Sequence, residues 1–443
     1  MKIRPHLRQS SAFLRLASDG AVAAMVKLAG AGLTYVMFIA MARITGESAF
    51  GYFASAFALA SLLAFAGSLG QQSAILRFWP EWEGRGDTDA ARSFLLLSVS
   101  VGAIGLIVVA AALCAAAYLY DLAVGRSVWF AFGASTALLL VALGWAEVLS
   151  SALRAQGRLL LALLPKEVLW RFLAIAAAWA CGFVWGRIGA VEAVLLAGTL
   201  LILVLLPQTV ILVVRAYLSP RKALEPKQKA EFRSVTLGLW GVTALNPAIA
   251  HGVSLVVLAI LGPVEAGAFF AAQRSALLIS VALAGLNQVL APQISRAYYR
   301  DEKQQLQHFV SLGAAISASV GLLGLIFFAI FGRCALGLFD PGFATHELWI
   351  ALMVLMVGQL FNAMAGPTSI LLQLTGKQHT LLNLLIVSNA VGVIIIVSLV
   401  YFAGTIGAAV GASFTSIVWN ALAIYTARRD LGIDPSMFGM ARR

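Results

Sequence analysis

The stretch VLLAGTLLILVLL, from Val194 to Leu206, carries no charged side chain. Extended to 189–214, it holds one acidic residue, Glu192, near its start. A helix needs ~20 mostly apolar residues to cross the hydrocarbon core of a bilayer. This run supplies them, and it is far longer than an ordinary strand. Working outward, similar runs lie at 20–42, 52–76, 93–118, 128–149, 167–186, 235–261, 267–293, 309–331, 348–373, 380–403 and 406–427. The two shortest turns, Trp185-Gly186-Arg187-Ile188 and Ala403-Gly404-Thr405, each contain the glycine that a tight reversal needs. The whole chain has the same character. Of 443 residues, 61% are hydrophobic and 11% charged, against roughly a half and a quarter in soluble domains. The expected fold is an all-α polytopic membrane protein of about twelve transmembrane helices.

The net charge of +12 invites a nucleic-acid reading, which fails once the charges are located. With the N-terminus inside and the spans alternating, 24 of the 31 Lys and Arg fall on inside segments. Only Arg43, Arg126, Arg187 and Arg333 fall outside, and Lys27, Arg171 and Arg274 lie within spans. That asymmetry is the positive-inside pattern, and it expects both termini in the cytoplasm. The first apolar run reaches Ala42, too long for the core of a cleaved signal peptide, and reads as a retained span. Cys114, Cys181 and Cys334 are odd in number and form neither a disulfide framework nor a metal spacing. No metal and no cofactor is expected.

The charged loop RAYLSPRKALEPKQKAEFRS (215–234) falls at the midpoint. On either side, ARITGESAFGYFASAF (42–57) aligns without gaps with the region around AILGPVEAGAFFAAQ (259–273). Gly46 pairs with Gly262, Gly51 with Gly267, Phe53 with Phe269 and Gln72 with Gln288. The expectation is an N-terminal lobe over 1–218, a cytoplasmic linker over 219–234 and a C-terminal lobe over 235–443. Two six-helix lobes would then surround a central cavity.

An ionisable group at mid-span costs roughly 2.5–3.5 kcal/mol on insertion scales, so it marks a functional candidate. Lys27, Arg171 and Arg274 are all basic, and span interiors hold no matching set of carboxylates. Together they would attract an anion such as a phosphate or pyrophosphate. Each has a plainer reading. Arg171 can snorkel to the interface or pair with Glu167 one turn earlier. Lys27 can snorkel, and Arg274 can bond a carbonyl of a neighbouring helix. In span seven, Asn246-Pro247 marks a kink, either a hinge or a static bend. His251 follows as a titrating group or a buried neutral one. Gln72, Asn287, Gln359 and Asn362 either bind sugar hydroxyls or join helices. No nucleophile elbow, metal-ligand pair or phosphate-cradling loop is present, so no enzyme is expected.

Several segments resemble Wzx-type polysaccharide flippases of the multidrug/oligosaccharidyl-lipid/polysaccharide exporter (MOP) superfamily. They are Ala42-Arg43-Ile44-Thr45-Gly46 through Phe53, Leu69-Gly70-Gln71-Gln72-Ser73-Ala74-Ile75-Leu76-Arg77-Phe78, and Leu153-Arg154-Ala155-Gln156-Gly157-Arg158. Gly267 to Pro292 with Gln273-Arg274, and Leu374-Thr375-Gly376-Lys377, extend the likeness over nearly the whole chain. The resemblance implies a cavity lined mainly by spans one, two, seven and eight. It also implies transfer of an undecaprenyl-pyrophosphate-linked oligosaccharide across a bacterial inner membrane by alternating access. Lys27 would take the pyrophosphate first and pass it to Arg274. Asn287, Gln72, Gln359 and Asn362 would contact sugars, and a polysaccharide polymerase and export proteins would be partners. The alternatives are a cation-coupled multidrug exporter of the same superfamily, disfavoured by the absence of interior acids, and a membrane glycosyltransferase or ligase.

Overall fold

The computed structural model describes residues 5–125, 127–218, 223–245 and 247–440. Within lipid, backbone polar groups must be satisfied inside their own element, which leaves helices as the economical solution for apolar runs. The described residues accordingly form helices and short turns, without strands.

The first half contains α1 (Pro5–Thr45), α2 (Glu47–Gly67), α3 (Gln71–Gly84), α4 (Thr88–Val124) and α5 (Trp129–Ala155). It continues with α6 (Leu159–Leu164), a π-helical turn (Pro165–Leu169), α7 (Trp170–Trp185) and α8 (Ala190–Leu218). The second half contains α9 (Pro226–Leu245), α10 (Ala248–Leu261), α11 (Pro263–Tyr299), α12 (Lys303–Phe339), α13 (His346–Ala365), α14 (Thr368–Leu374) and α15 (Gln378–Leu431).

Ten helices among the described residues are long and apolar enough to cross a membrane, and α9 with α10, bent by 47°, form an eleventh span. In that number α15 counts once, although Ala403 and Gly404 leave helical geometry at its middle. At ~1.5 Å per residue its 54 residues would reach ~80 Å, more than twice the hydrocarbon thickness. Its two halves are therefore separate spans, and the count becomes the twelve read from the sequence. The bend of span seven falls where Pro247 interrupts the ladder. Asn246 lies outside the described residues.

Three expected boundaries move. Span two ends at Gly67, not 76, because Leu69 (φ 52°) and Gly70 (φ 72°) turn the chain into the separate helix α3. Gly70 is required there twice over, since a Cβ would also lie 2.8 Å from the Trp240 backbone nitrogen. Span five starts at Leu159 rather than 167 and runs through the π-helical turn. Span ten breaks at Gly366-Pro367, where proline offers no N–H to continue α13.

The two halves meet along α2 and α11. Gly46 and Gly262, equivalent in the internal repeat, both cap their helices at positive φ (77° and 97°). One turn on, Gly51 approaches Pro263 so closely that a Cβ would lie 1.6 Å from the proline carbonyl oxygen. A Cβ on Gly267 would likewise lie 3.1 Å from Gly51 Cα. Phe50, Phe53, Phe269 and Phe270 are fully buried around this seam. Beside it, Arg43 donates to the carbonyls of Leu338 (2.7 Å) and Gly337 (2.8 Å). This end of the bundle, remote from the termini, is tightly shut. At the terminus-bearing end, α9 begins at Pro226, within the segment read as linker, and leans on the first half. There Phe232 packs on Phe78 and Phe94, and Trp240 Nε1 donates to the Ala66 carbonyl at 2.9 Å.

Candidate functional site

The three basic residues that topology leaves inside spans meet in one cavity. Lys27 on α1, Arg171 on α7 and Arg274 on α11 line a space of ≈ 420 Å³, with Glu167 the single acidic member of the wall. This size lies within the ~300–1,000 Å³ of small-ligand sites.

Local sequence explains the convergence. Pro165 opens the π-helical turn, and the Trp170 N–H reaches back to the Pro165 carbonyl, one residue further than an α-helix allows. Such turns concentrate at functional sites. The opposing residue on α1 is Gly30, where a Cβ would sit 3.0 Å from both the Glu167 Cβ and its carbonyl oxygen. Only a residue without a side chain lets α1 and the turn approach this closely.

Glu167 then holds its neighbours in place. Its Oε2 accepts from Arg171 Nη1 at 2.7 Å, and its Oε1 lies 3.8 Å from Lys166 Nζ. Lys166 in turn bonds Glu147 Oε1 at 2.6 Å. The Arg171–Glu167 pair anticipated from helical spacing is formed, yet Arg171 still lines the cavity and its side chain is only 16% exposed. It does not snorkel to the surface.

Arg274 has a different setting. Its guanidinium carbon lies 4.5 Å from the ring centroid of Phe270, 5.2 Å from Phe38 and 5.7 Å from Phe57. Cation–π attraction offsets part of the cost of burying this charge, ~0.5–2 kcal/mol per well-placed ring. Its Nε has no hydrogen-bond partner among the described residues. Neither Arg274 nor Lys27 forms an ion pair there. Next to Arg274, Tyr35 and Ser275 share a hydrogen bond of 3.0 Å between their hydroxyls. Phe38 closes the cavity toward the shut end of the bundle, while Lys27 and Gly285 lie toward the termini. Three cations therefore face one carboxylate in a space walled largely by carbon.

The other candidate residues are scattered. Gln359 and Asn362 line a second cavity, inside the second half of the bundle. Gln72 is buried on α3, with neither side-chain polar atom partnered among the described residues, and it lines neither of these two cavities. Asn287 lies further along α11, its Oδ1 also without a partner among the described residues, outside the cationic cavity. His251 on α10 is within electrostatic range of Arg274 without lining the cavity. The cavity walls thus come from spans one, five and eight, and the expectation of spans one, two, seven and eight is corrected. Span two packs along α11 at the glycine seam, and α10 of span seven packs on α2 and α15. Glu167, which the sequence placed near a span end, is the cavity residue that sequence reasoning missed. Its spacing from Arg171 was visible, but the π-helical turn that carries both to α1 was not.

The same helical fold is found in solved transporters of the MOP superfamily. A multidrug-resistance MATE family transporter of the MOP superfamily in its inward-facing conformation superposes with a TM-score of 0.72 at 17% identity, over 93% of this chain and 98% of that one. In an outward-facing conformation the corresponding values are 0.66, 18%, 93% and 95%. A MOP superfamily transporter from Pyrococcus furiosus, described as having a binding pocket of reversed polarity, gives 0.67, 18%, 93% and 95%. No curated protein sequence matches the chain significantly. Residues 16–298 match the family model described as polysaccharide biosynthesis protein, and the chain belongs to that family.

Proposed function

We propose that this protein moves a lipid-linked oligosaccharide from the cytoplasmic to the periplasmic leaflet, holding the pyrophosphate in the Lys27–Arg171–Arg274 cavity. The observation that carries the reading is Arg274, a guanidinium set among three phenylalanine rings with no ion-pair partner among the described residues. An unpaired buried charge is costly, and a protein retains one where a ligand completes it. A pyrophosphate supplies the missing charge and enough acceptor oxygens for both a planar guanidinium and an ammonium.

The charge asymmetry of the loops supports placing the terminus-bearing face in the cytoplasm. Lys27 then lies nearest the entrance and Arg274 deepest. The anion enters past Lys27, and Arg171 becomes available as Glu167 gives way to the stronger oxyanion. The prenyl tail remains in the bilayer throughout. Release on the far side requires the α2–α11 seam at Gly51 and Pro263 to part while the cytoplasmic side closes. A drug-exporting reading is less well supported, because the interior carboxylates Glu147 and Glu167 are both engaged by Lys166 and Arg171.

The test is flipping of a fluorescent undecaprenyl-pyrophosphate oligosaccharide in proteoliposomes, for the natural chain and for Lys27→Ala, Arg171→Ala and Arg274→Ala. The expected result is loss of most transport in Arg274→Ala and a smaller loss in the other two. Unchanged rates in all three variants would remove the proposal.

A further inference from the structure

The second cavity has no place in the anion path described above. It lies between α10, α11, α13 and α15 and encloses ≈ 350 Å³, near the lower limit for a small-ligand site. Its wall contains no ionisable side chain. It is instead set with amides and hydroxyls around the indole of Trp419.

Among the described residues, several of these polar groups are half-used. Gln359 accepts from Ser280 Oγ at 2.6 Å through its carbonyl oxygen, which leaves its amide hydrogens uncommitted. Asn362 accepts from Asn420 at 3.2 Å and keeps its own amide nitrogen. Asn389 donates to the Leu245 carbonyl at 2.9 Å and keeps its oxygen. Ser388 is 6% exposed, and its hydroxyl has no partner among the described residues. A buried hydroxyl left alone is costly. Together these groups offer two donors, an acceptor and a hydroxyl that can be either, beside an aromatic face. That set matches a sugar ring, whose hydroxyls both give and accept and whose C–H face sits on an aromatic quadrupole. It does not match an ion, because no formal charge is present to neutralise one.

The two cavities share a wall. Leu277 and Ser280 line both, and Arg274 and Ser280 are six residues apart on α11, ~9 Å along its axis. A pyrophosphate and the pyranose attached to it can cover that spacing.

We infer that the second cavity is a subsite for an uncharged pyranose ring, with Ser388, Asn362, Gln359 and Trp419 as its contacts. Its natural source is the first sugar of the lipid-linked substrate, an assignment that rests on the proposed function. The same chemistry would admit a free sugar.

The experiment uses the full chain in nanodiscs. Affinities are measured for undecaprenyl pyrophosphate alone and for the same lipid carrying N-acetylglucosamine or galactose. The natural chain is expected to prefer at least one sugar-bearing lipid by ~10-fold, the worth of two or so net hydrogen bonds. Asn362→Leu and Ser388→Val should each reduce that preference several-fold while leaving the affinity for the bare lipid unchanged. Equal affinity for all three lipids in the natural chain, or an undiminished preference in both variants, overturns the subsite. A Ser388→Cys variant, labelled with a thiol reagent with and without free N-acetylglucosamine or galactose, reads the subsite independently. If no pyrophosphate lipid binds at all, the flippase reading fails, and the labelling decides the subsite: sugar protection supports it as a free-sugar site, and absence of protection removes it.

Discussion

Replacing Gly51 by alanine adds a single methyl group where the two halves of the bundle touch. That methyl carbon would lie 1.6 Å from the Pro263 carbonyl oxygen and 2.4 Å from its carbonyl carbon. Carbon and carbonyl oxygen approach to ~3.3 Å at the closest, so the deficit is ~1.7 Å. Both sides of the contact are helix backbone, and neither can rotate away as a flexible side chain would. α2 and α11 must separate, and the ring contact between Phe50 and Phe270 opens with them. Overpacking of this kind costs ~1–3 kcal/mol. The strain exists only while the seam is shut. A cost of ~2 kcal/mol therefore shifts the shut-to-open ratio by ~30-fold. Spin labels at Ser48 and Thr345, both exposed on the seam end, report the distance across it once Cys114, Cys181 and Cys334 are replaced. The natural chain should show one dominant short distance, and Gly51→Ala should move most of the population to a longer one. A folded Gly51→Ala protein with an unchanged distance distribution would refute the idea that this seam is the outer gate.

Other outcomes follow from the same structure. Arg274→Met should abolish anion binding and yet raise Tm, because it removes a buried unpaired charge from among three rings; a lowered Tm in a folded variant would contradict the unpaired state. Glu167→Gln should tighten pyrophosphate binding by ~10-fold, since Arg171 then has no internal carboxylate to exchange; weaker binding, measured by titration calorimetry, would contradict this. Asp434, just beyond α15, is pushed up by burial, but bonds from Ser436 and Arg428 outweigh that and hold its carboxyl below the usual range. A depressed carboxylate stabilises above its unfolded pKa of ~3.9 and loses that contribution as pH falls through the lower folded value. Hydrogen exchange should therefore find residues 432–440 docked at neutral pH and released only below about pH 4. Asp434→Asn should release them at pH 7. Pro247→Ala should restore a ladder bond and reduce the 47° bend between α9 and α10, slowing transport without altering anion affinity.

Much of the fold was legible because span-forming sequence is a one-dimensional signal. The run around Val194–Leu206 identifies its helix without reference to any other part of the chain. The pairing of Gly51 with Gly267 was visible as a repeat, though not that the two glycines touch. What the sequence hides is rotation. Gln72 and Gln359 are the same residue type in similar apolar surroundings, yet one is sealed on α3 and the other lines a cavity. Which way each faces depends on neighbours hundreds of residues distant. The break at Leu69-Gly70 is masked in the sequence because the apolar run resumes at Ala74-Ile75-Leu76 beyond it. For Arg171, hydropathy located the residue, but the π-helical turn at Pro165 decides its direction. The three in-span cations are each conspicuous for their cost, and their meeting in one cavity is a fact of three dimensions.

The most direct test of the account is the binding of undecaprenyl pyrophosphate, against the uncharged alcohol undecaprenol, to the purified chain in nanodiscs, read by native mass spectrometry. The tail is common to both, so the difference reports the anion alone. Strong retention of the pyrophosphate lipid over the alcohol is expected, reduced in Lys27→Ala and lost in Arg274→Ala. Equal retention of the two lipids by the natural chain, or a preference that survives Arg274→Ala, would contradict it.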